Sequence, residues 1–144
     1  IYLNQNFYHY RINRDSVTNA FREDRMGMFR GYLLKLKEFI EAYRADDAAF
    51  QDAFQKRVLY TLILALRVHF CNKYNNNGLL GKLKDLRQTL HSEPYASSLK
   101  MIDISGLSAG RKAFAILARM KASGPLLLLS QLKGLAMTYN KHRG

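Results

Sequence analysis

The segment from Phe50 to Phe70 constrains the fold more than any other part of the chain. It carries Phe50, Phe54, Leu59, Leu62, Ile63, Leu66 and Phe70 at helical spacing, and from Val58 onward it is apolar around much of its circumference. A helix of that kind needs neighbours on several sides. It cannot find them in a bilayer, because its most apolar stretch, Val58 to Leu66, is far shorter than the roughly 20 residues a membrane-crossing helix needs. The segment is therefore predicted to be the central helix of a bundle. Asp46 and Asp47 stand where an N-cap and a first-turn acid belong, and Asn75-Asn76-Asn77-Gly78 supplies residues that accept the left-handed conformation common at helix ends.

The flanking sequence supplies the neighbours. Phe29, Tyr32, Leu33, Leu36, Phe39, Ile40 and Tyr43 predict a helix from Ser16 or Asn19 to Tyr43, antiparallel to the central one because only Arg44 to Asp46 join the two. Leu79, Leu83, Leu86 and Leu90 predict a short amphipathic helix over 79–91, closed by Ser92, Glu93 and Pro94. The chain to Ser108 reads as mixed and linker-like. Beyond it, Arg111 to Lys121 forms a basic amphipathic helix with Phe114, Leu117 and Ala118 on one side. Pro125 then opens a last helix with a stripe of Leu128, Leu129, Leu132, Leu135, Ala136 and Tyr139. The predicted fold is mainly α, a bundle of four to six helices preceded by one extended N-terminal segment. Its divisions are 1–18, a strand and loop; 19–98, the bundle; and 99–144, basic amphipathic helices.

Charge narrows the partners. There are 23 Lys and Arg against 11 Asp and Glu, a formal net charge of +12. The last acid is Asp103, and the 41 residues after it hold seven Lys or Arg. Such a balance speaks for an anionic partner without choosing among nucleic acid, a membrane surface and a phosphorylated small molecule. Arg111, Lys112, Arg119, Lys121 and Lys133 flank leucine-rich faces and are candidate contacts for an anionic membrane surface. The same pattern also fits a helical hairpin whose leucines complete the core while its lysines face water. Nucleic acid is disfavoured, since most helical aromatics fall on the predicted apolar stripes and no recognition signature is present.

Common catalytic and metal-binding motifs are absent from the sequence: there is no HExxH, no paired Cys and His spacing, no phosphate loop and no nucleophile elbow. His9, His69, His91 and His142 are scattered, and Cys71 reads as a small buried hydrophobe. One cysteine forms no internal disulfide, which fits a reducing, cytoplasmic setting. No secretory leader is legible at the N-terminus.

The most specific stretch is Asn6-Phe7-Tyr8-His9-Tyr10-Arg11-Ile12-Asn13-Arg14-Asp15-Ser16-Val17-Thr18. Its first half has strand composition, yet no good partner strand follows, and the chain opens on Ile1 as though in the middle of a larger fold. Tyr8, Tyr10, Arg11, Ser16, Val17 and Thr18 stand in the order Tyr-x-Tyr-Arg, four variable residues, Ser, a small aliphatic residue and Ser or Thr. That order resembles the strand and loop closing the catalytic domain of bacterial family 2 glycosyltransferases with the GT-A fold. The helical sequence behind it is similar to the C-terminal extension of the members that build surface polysaccharides.

The resemblance implies the C-terminal portion of an enzyme moving sugar from a nucleotide-sugar to a glycan or lipid-linked acceptor. The isolated chain is expected to be inactive, since a divalent metal, Mg or Mn, and the general base would belong to a preceding catalytic portion and no cofactor to this one. Its location would be cytoplasmic, with peripheral attachment at the inner face of the plasma membrane left open. Tyr10, Arg11 and Ser16 become candidate contacts for a diphosphate or acceptor, a task for which a guanidinium fork is suited. The plainer roles are an Arg11 to Asp15 pair and a helix cap by Ser16. The alternative to the whole reading is a free-standing basic helical module that binds nucleic acid or a partner protein.

Overall fold

The computed structural model describes residues 21–141, with side chains described as far as Lys133. Among these residues six α-helices follow one another: α1 (Arg25–Tyr43), α2 (Ala48–Ala65), α3 (Leu79–His91), α4 (Tyr95–Met101), α5 (Ala109–Arg119) and α6 (Ser123–Lys141). There is no strand among the described residues. The molecule is a mainly α bundle; the extended segment expected over 1–18 lies outside the described residues.

Helix α2 is central, as its apolar circumference demands. Its first turn is held by Asp47, whose Oδ1 accepts from the amides of Ala49 at 3.0 Å and Phe50 at 3.3 Å. Phe54, Val58, Leu59, Leu62 and Ala65 are buried against α1 on one side and α4 on the other. The helix then widens into a π turn, Leu66–Phe70, closed by Cys71 N–H on the Leu66 carbonyl at 2.8 Å. The wider turn accompanies burial of Val68, His69 and Phe70 in succession, and this part of the helix packs on α6. Cys71 itself is half-buried against the core.

The helix does not end by a left-handed residue at Asn75–Gly78, as expected. No glycine among the described residues has positive φ. The asparagines act through their side chains instead. Asn72 Nδ2 donates to the Val68 carbonyl and Asn75 Nδ2 to that of His69, both at 3.0 Å, the latter beside the Asn72 amide, which reaches the same carbonyl at 3.4 Å. Their Oδ1 atoms accept from the amides of Tyr74 and Asn77 two residues on, making two successive Asx turns.

Helices α1 and α2 pack antiparallel, with Tyr32 opposite Arg57 and the Lys37–Glu41 turn opposite Gln51–Gln55. Helix α1 starts at Arg25, several residues later than periodicity implied. Its buried positions are Arg25, Leu33 and Ile40, with Phe29 and Leu36 half-buried. Tyr32, Phe39 and Tyr43, expected on the core stripe, are exposed.

Helix α4 replaces the expected irregular stretch. It is short, and its Tyr95, Leu99 and the following Ile102 are at most 2% exposed. Helices α3 and α5 pack against it, and α5 and α6 pack against each other. The expected boundary at 98/99 falls inside α4. Phe114, Ala115, Ala118, Leu126 and Leu127 belong to the same core cluster as Leu33 and Leu62, so at least this much of the basic C-terminal portion is integral to the bundle. In α6 the core positions are Leu126 and Leu127, while Leu128 and Leu132 of the expected stripe are 58% and 55% exposed. Leu135, Ala136 and Tyr139 lie beyond the described side chains.

Helix α5 ends at Arg119 in a Schellman motif. Ala122 N–H reaches the Leu117 carbonyl at 2.9 Å and Lys121 N–H reaches that of Ala118 at 3.0 Å. Lys121 takes the left-handed position with φ 56°, which costs an L-residue with a side chain more than it would cost glycine.

Candidate functional site

Packing leaves one face of α2 uncovered. Arg57, Tyr60, Leu64 and Arg67, spaced at three, four and three residues, form an exposed stripe along a helix that the sequence implied was enclosed. Phe29 and Tyr32 of α1 flank the stripe on one side, and Arg111 of α5 reaches it from the other. The result is an open trough of about 340 Å³ lined by Phe29, Tyr32, Arg57, Tyr60, Thr61 and Leu64.

Two stacked pairs order this trough. The Arg57 guanidinium lies 5.5 Å from the centre of the Tyr32 ring, and that of Arg111 lies 4.9 Å from the centre of the Tyr60 ring. Tyr32 is 47% and Tyr60 36% exposed, so the pairs sit at the surface. Thr61 turns its hydroxyl back onto its own helix, donating to the Arg57 carbonyl at 2.9 Å. No carboxylate lines the trough. Acids gather beside it instead: Asp52 binds Lys56 at 2.6 Å and raises the Lys56 pKa. Hydrogen bonds from the Ser105 backbone and hydroxyl hold the Asp103 carboxyl below its ordinary range, with lesser help from Lys56 and Lys112. The two arginines thus keep hydrogen-bonding edges directed at no carboxylate among the described residues.

The five cations expected to meet a membrane separate into different roles. Only Arg111 stands at the trough. Arg119 is structural: its Nε donates to the Leu99 carbonyl at 3.2 Å and its Nη2 to that of Ile102 at 2.7 Å, closing the end of α4. Lys133 lays its ammonium 4.9 Å from the Phe114 ring centre and against Gly110, where any Cβ would collide with it. Lys112 is half-buried near Asp103, and Lys121 is exposed at the end of α5. Tyr10, Arg11 and Ser16 lie outside the described residues, as do His9 and His142.

Sequence reasoning missed Arg57, Tyr60, Leu64 and Tyr32. Their spacing was available, but an unusually apolar helix hides a narrow polar stripe until its neighbours are known. The expectation that helical aromatics are consumed by the core also fails in part. Phe39, Tyr43 and Phe50 are exposed near the α1–α2 turn, where Phe39 and Tyr43 rings lie 5.0 Å apart and Arg44 covers Phe50 at 5.4 Å.

Two buried polar groups complete the electrostatics. His69 is 7% exposed, stacked on Phe21 at 5.4 Å and edge-on to Phe70 at 5.1 Å. Its Nδ1 donates to the Arg22 carbonyl at 3.3 Å, yet burial outweighs that bond and lowers its pKa below 6.5, with Arg25 acting in the same direction. Burial pushes the Tyr95 phenol up to about 12, and its hydroxyl finds no hydrogen-bond partner among the described residues. His91 is exposed, its Nδ1 2.8 Å from the Arg87 carbonyl. Among the described residues there is no group of three or more His, Cys, Asp or Glu that could hold a metal ion. No helix among them is long and apolar enough to cross a membrane.

No family model, curated protein or solved structure matches this chain.

Proposed function

We propose that the chain is the C-terminal helical portion of a glycosyltransferase that moves a sugar from a nucleotide-sugar donor to a surface-polysaccharide or lipid-linked acceptor. The observation that carries this reading is the ordered series Tyr8, Tyr10, Arg11, Ser16, Val17 and Thr18, directly ahead of an all-helical unit whose first helix starts at Arg25. In this reading Arg11 forks onto the diphosphate of the donor as negative charge accumulates on the leaving group, and Ser16 donates within the same loop. A preceding catalytic portion supplies the divalent metal and the general base. The helical unit supports acceptor or membrane-surface association at the cytoplasmic face of the plasma membrane and does not catalyse alone.

The test is the complete reading frame followed by a transfer assay. An Asp-x-Asp motif after hydrophobic strands, with an acidic pair downstream of it, is expected ahead of Ile1. The full-length protein is expected to transfer labelled sugar, and Arg11→Ala to lose most of that activity while still folding. A frame with no nucleotide-sugar portion ahead of Ile1 would falsify the proposal.

The rival reading, a basic module that binds nucleic acid or a partner protein, draws on one observation. Met28, Phe39 and Tyr43 lie exposed along α1. Under that reading the 144-residue chain binds a macromolecule with no transferase portion present.

A further inference from the structure

The trough between α1, α2 and α5 joins three properties: two surface guanidinium groups facing no carboxylate among the described residues, two tyrosines against which they lie, and an apolar lining. Each guanidinium lies over a ring, 5.5 Å from Tyr32 for Arg57 and 4.9 Å from Tyr60 for Arg111. A planar guanidinium held over a ring keeps its N–H edge free, and that edge matches the oxygens of a phosphate. Each guanidinium occupies one face of its tyrosine, which leaves less ring surface on which nucleic-acid bases could stack. The lining is partly apolar: Leu64 is 42% exposed, and Phe29 lines the same trough. Tyrosine, arginine and an exposed aliphatic side chain together suit the boundary between lipid headgroups and acyl chains.

We propose that this trough docks the chain on an anionic membrane surface, with Arg57 and Arg111 binding lipid phosphate and Leu64 entering the headgroup layer. Charge complementarity selects the occupant: the chain carries +12, no acid lines the trough, and an anionic leaflet is the negative surface that also accepts an apolar lining. The proposal deepens the membrane-contact part of the function above: of the C-terminal cations it keeps Arg111 alone, and it adds Arg57 from the middle of the bundle. It is read by binding rather than by sugar transfer, so either can fail without the other.

The experiment is flotation of the 144-residue chain with vesicles of phosphatidylcholine alone or mixed with phosphatidylglycerol. Binding is expected only to the mixed vesicles, and Arg57→Gln with Arg111→Gln is expected to weaken it about thirtyfold, at about a fivefold loss per arginine. Lys84→Gln with Arg87→Gln removes the same charge from α3 and is expected to change binding less than about threefold, since only distant charge is lost. Wild-type protein gives a second measurement that needs no variant. Mixed vesicles should protect Arg57 and Arg111, but not Arg87, from phenylglyoxal, read by mass spectrometry. Equal loss in the two double variants, equal binding to neutral vesicles, or the same protection by inorganic phosphate alone would overturn the proposal. So would tighter binding to single-stranded RNA than to vesicles at equal phosphate.

Discussion

Arg119 and Arg57 are both arginines on helices of one bundle, and the bundle uses them in opposite ways. Arg119 faces the end of α4, where the Leu99 and Ile102 carbonyls need donors, and becomes a brace between helices. Arg57 faces outward on α2, lies over Tyr32 and meets no carboxylate among the described residues. The junction of α4 and α5 absorbs its polar groups, whereas the trough leaves its own available. A count of basic residues therefore says little about which of them remain free for a partner; the positions of unpaired carbonyls and exposed rings decide it.

That contrast breaks first at its strongest point. Arg119→Ala should lower stability by about 2 kcal/mol, because it strands carbonyls that a charged donor had satisfied. Arg57→Ala should lower it by no more than about 0.5–1 kcal/mol, the scale of an exposed cation–π pair. Urea unfolding of both variants checks this, and equal losses would erase the distinction. Tyr95 is the exception inside the junction, a buried hydroxyl with no described partner. Tyr95→Phe should raise stability by about 1 kcal/mol as that desolvation cost disappears, and a loss in the same measurement would mean the hydroxyl does have a partner.

Smaller effects sharpen the comparison. Lys121→Gly should stabilise the chain by about 0.5–1 kcal/mol, because glycine takes the left-handed position after α5 with less strain. A fall in melting temperature would instead give the Lys121 side chain a structural role. His69 should produce a slope rather than a step. Its folded-state pKa lies below the ordinary 6.5, so the unfolded chain binds its proton more readily. Its contribution is fully present above about pH 6.5, declines as pH falls through the folded-state value and then levels off. Denaturation midpoints between pH 7.5 and 5 should follow that course, and His69→Gln should flatten it.

Local signals marked several element limits well. Asp47 caps α2 with its own carboxylate, Tyr43 closes α1, and the leucine spacing over 79–91 matches α3 residue for residue. Helix α4 had no such signal. Its seven residues form a helix because Tyr95 and Leu99 can be buried among α2, α3 and α5, a gain that local propensity does not contain. The asparagine cluster announced the end of the central helix but not the means, since the same residues can cap through backbone conformation or through side-chain amides.

The candidate site was less legible than the fold. The signature at Tyr8 to Thr18 could be read directly because it is contiguous. The trough draws on α1, α2 and α5, and its arginines are separated by more than fifty positions along the chain.

Sequence alone determined that this chain is a mainly α bundle around an apolar central helix with an excess of positive charge, since period, capping and net charge are properties of neighbouring residues or of plain sums. Tertiary structure alone decided which arginines became braces and which stayed at the surface, that the basic α5 and the start of α6 complete the core, and that one side of α2 remains open. The reason is that a side chain's fate depends on what the next helix brings opposite it, and no local pattern carries that information.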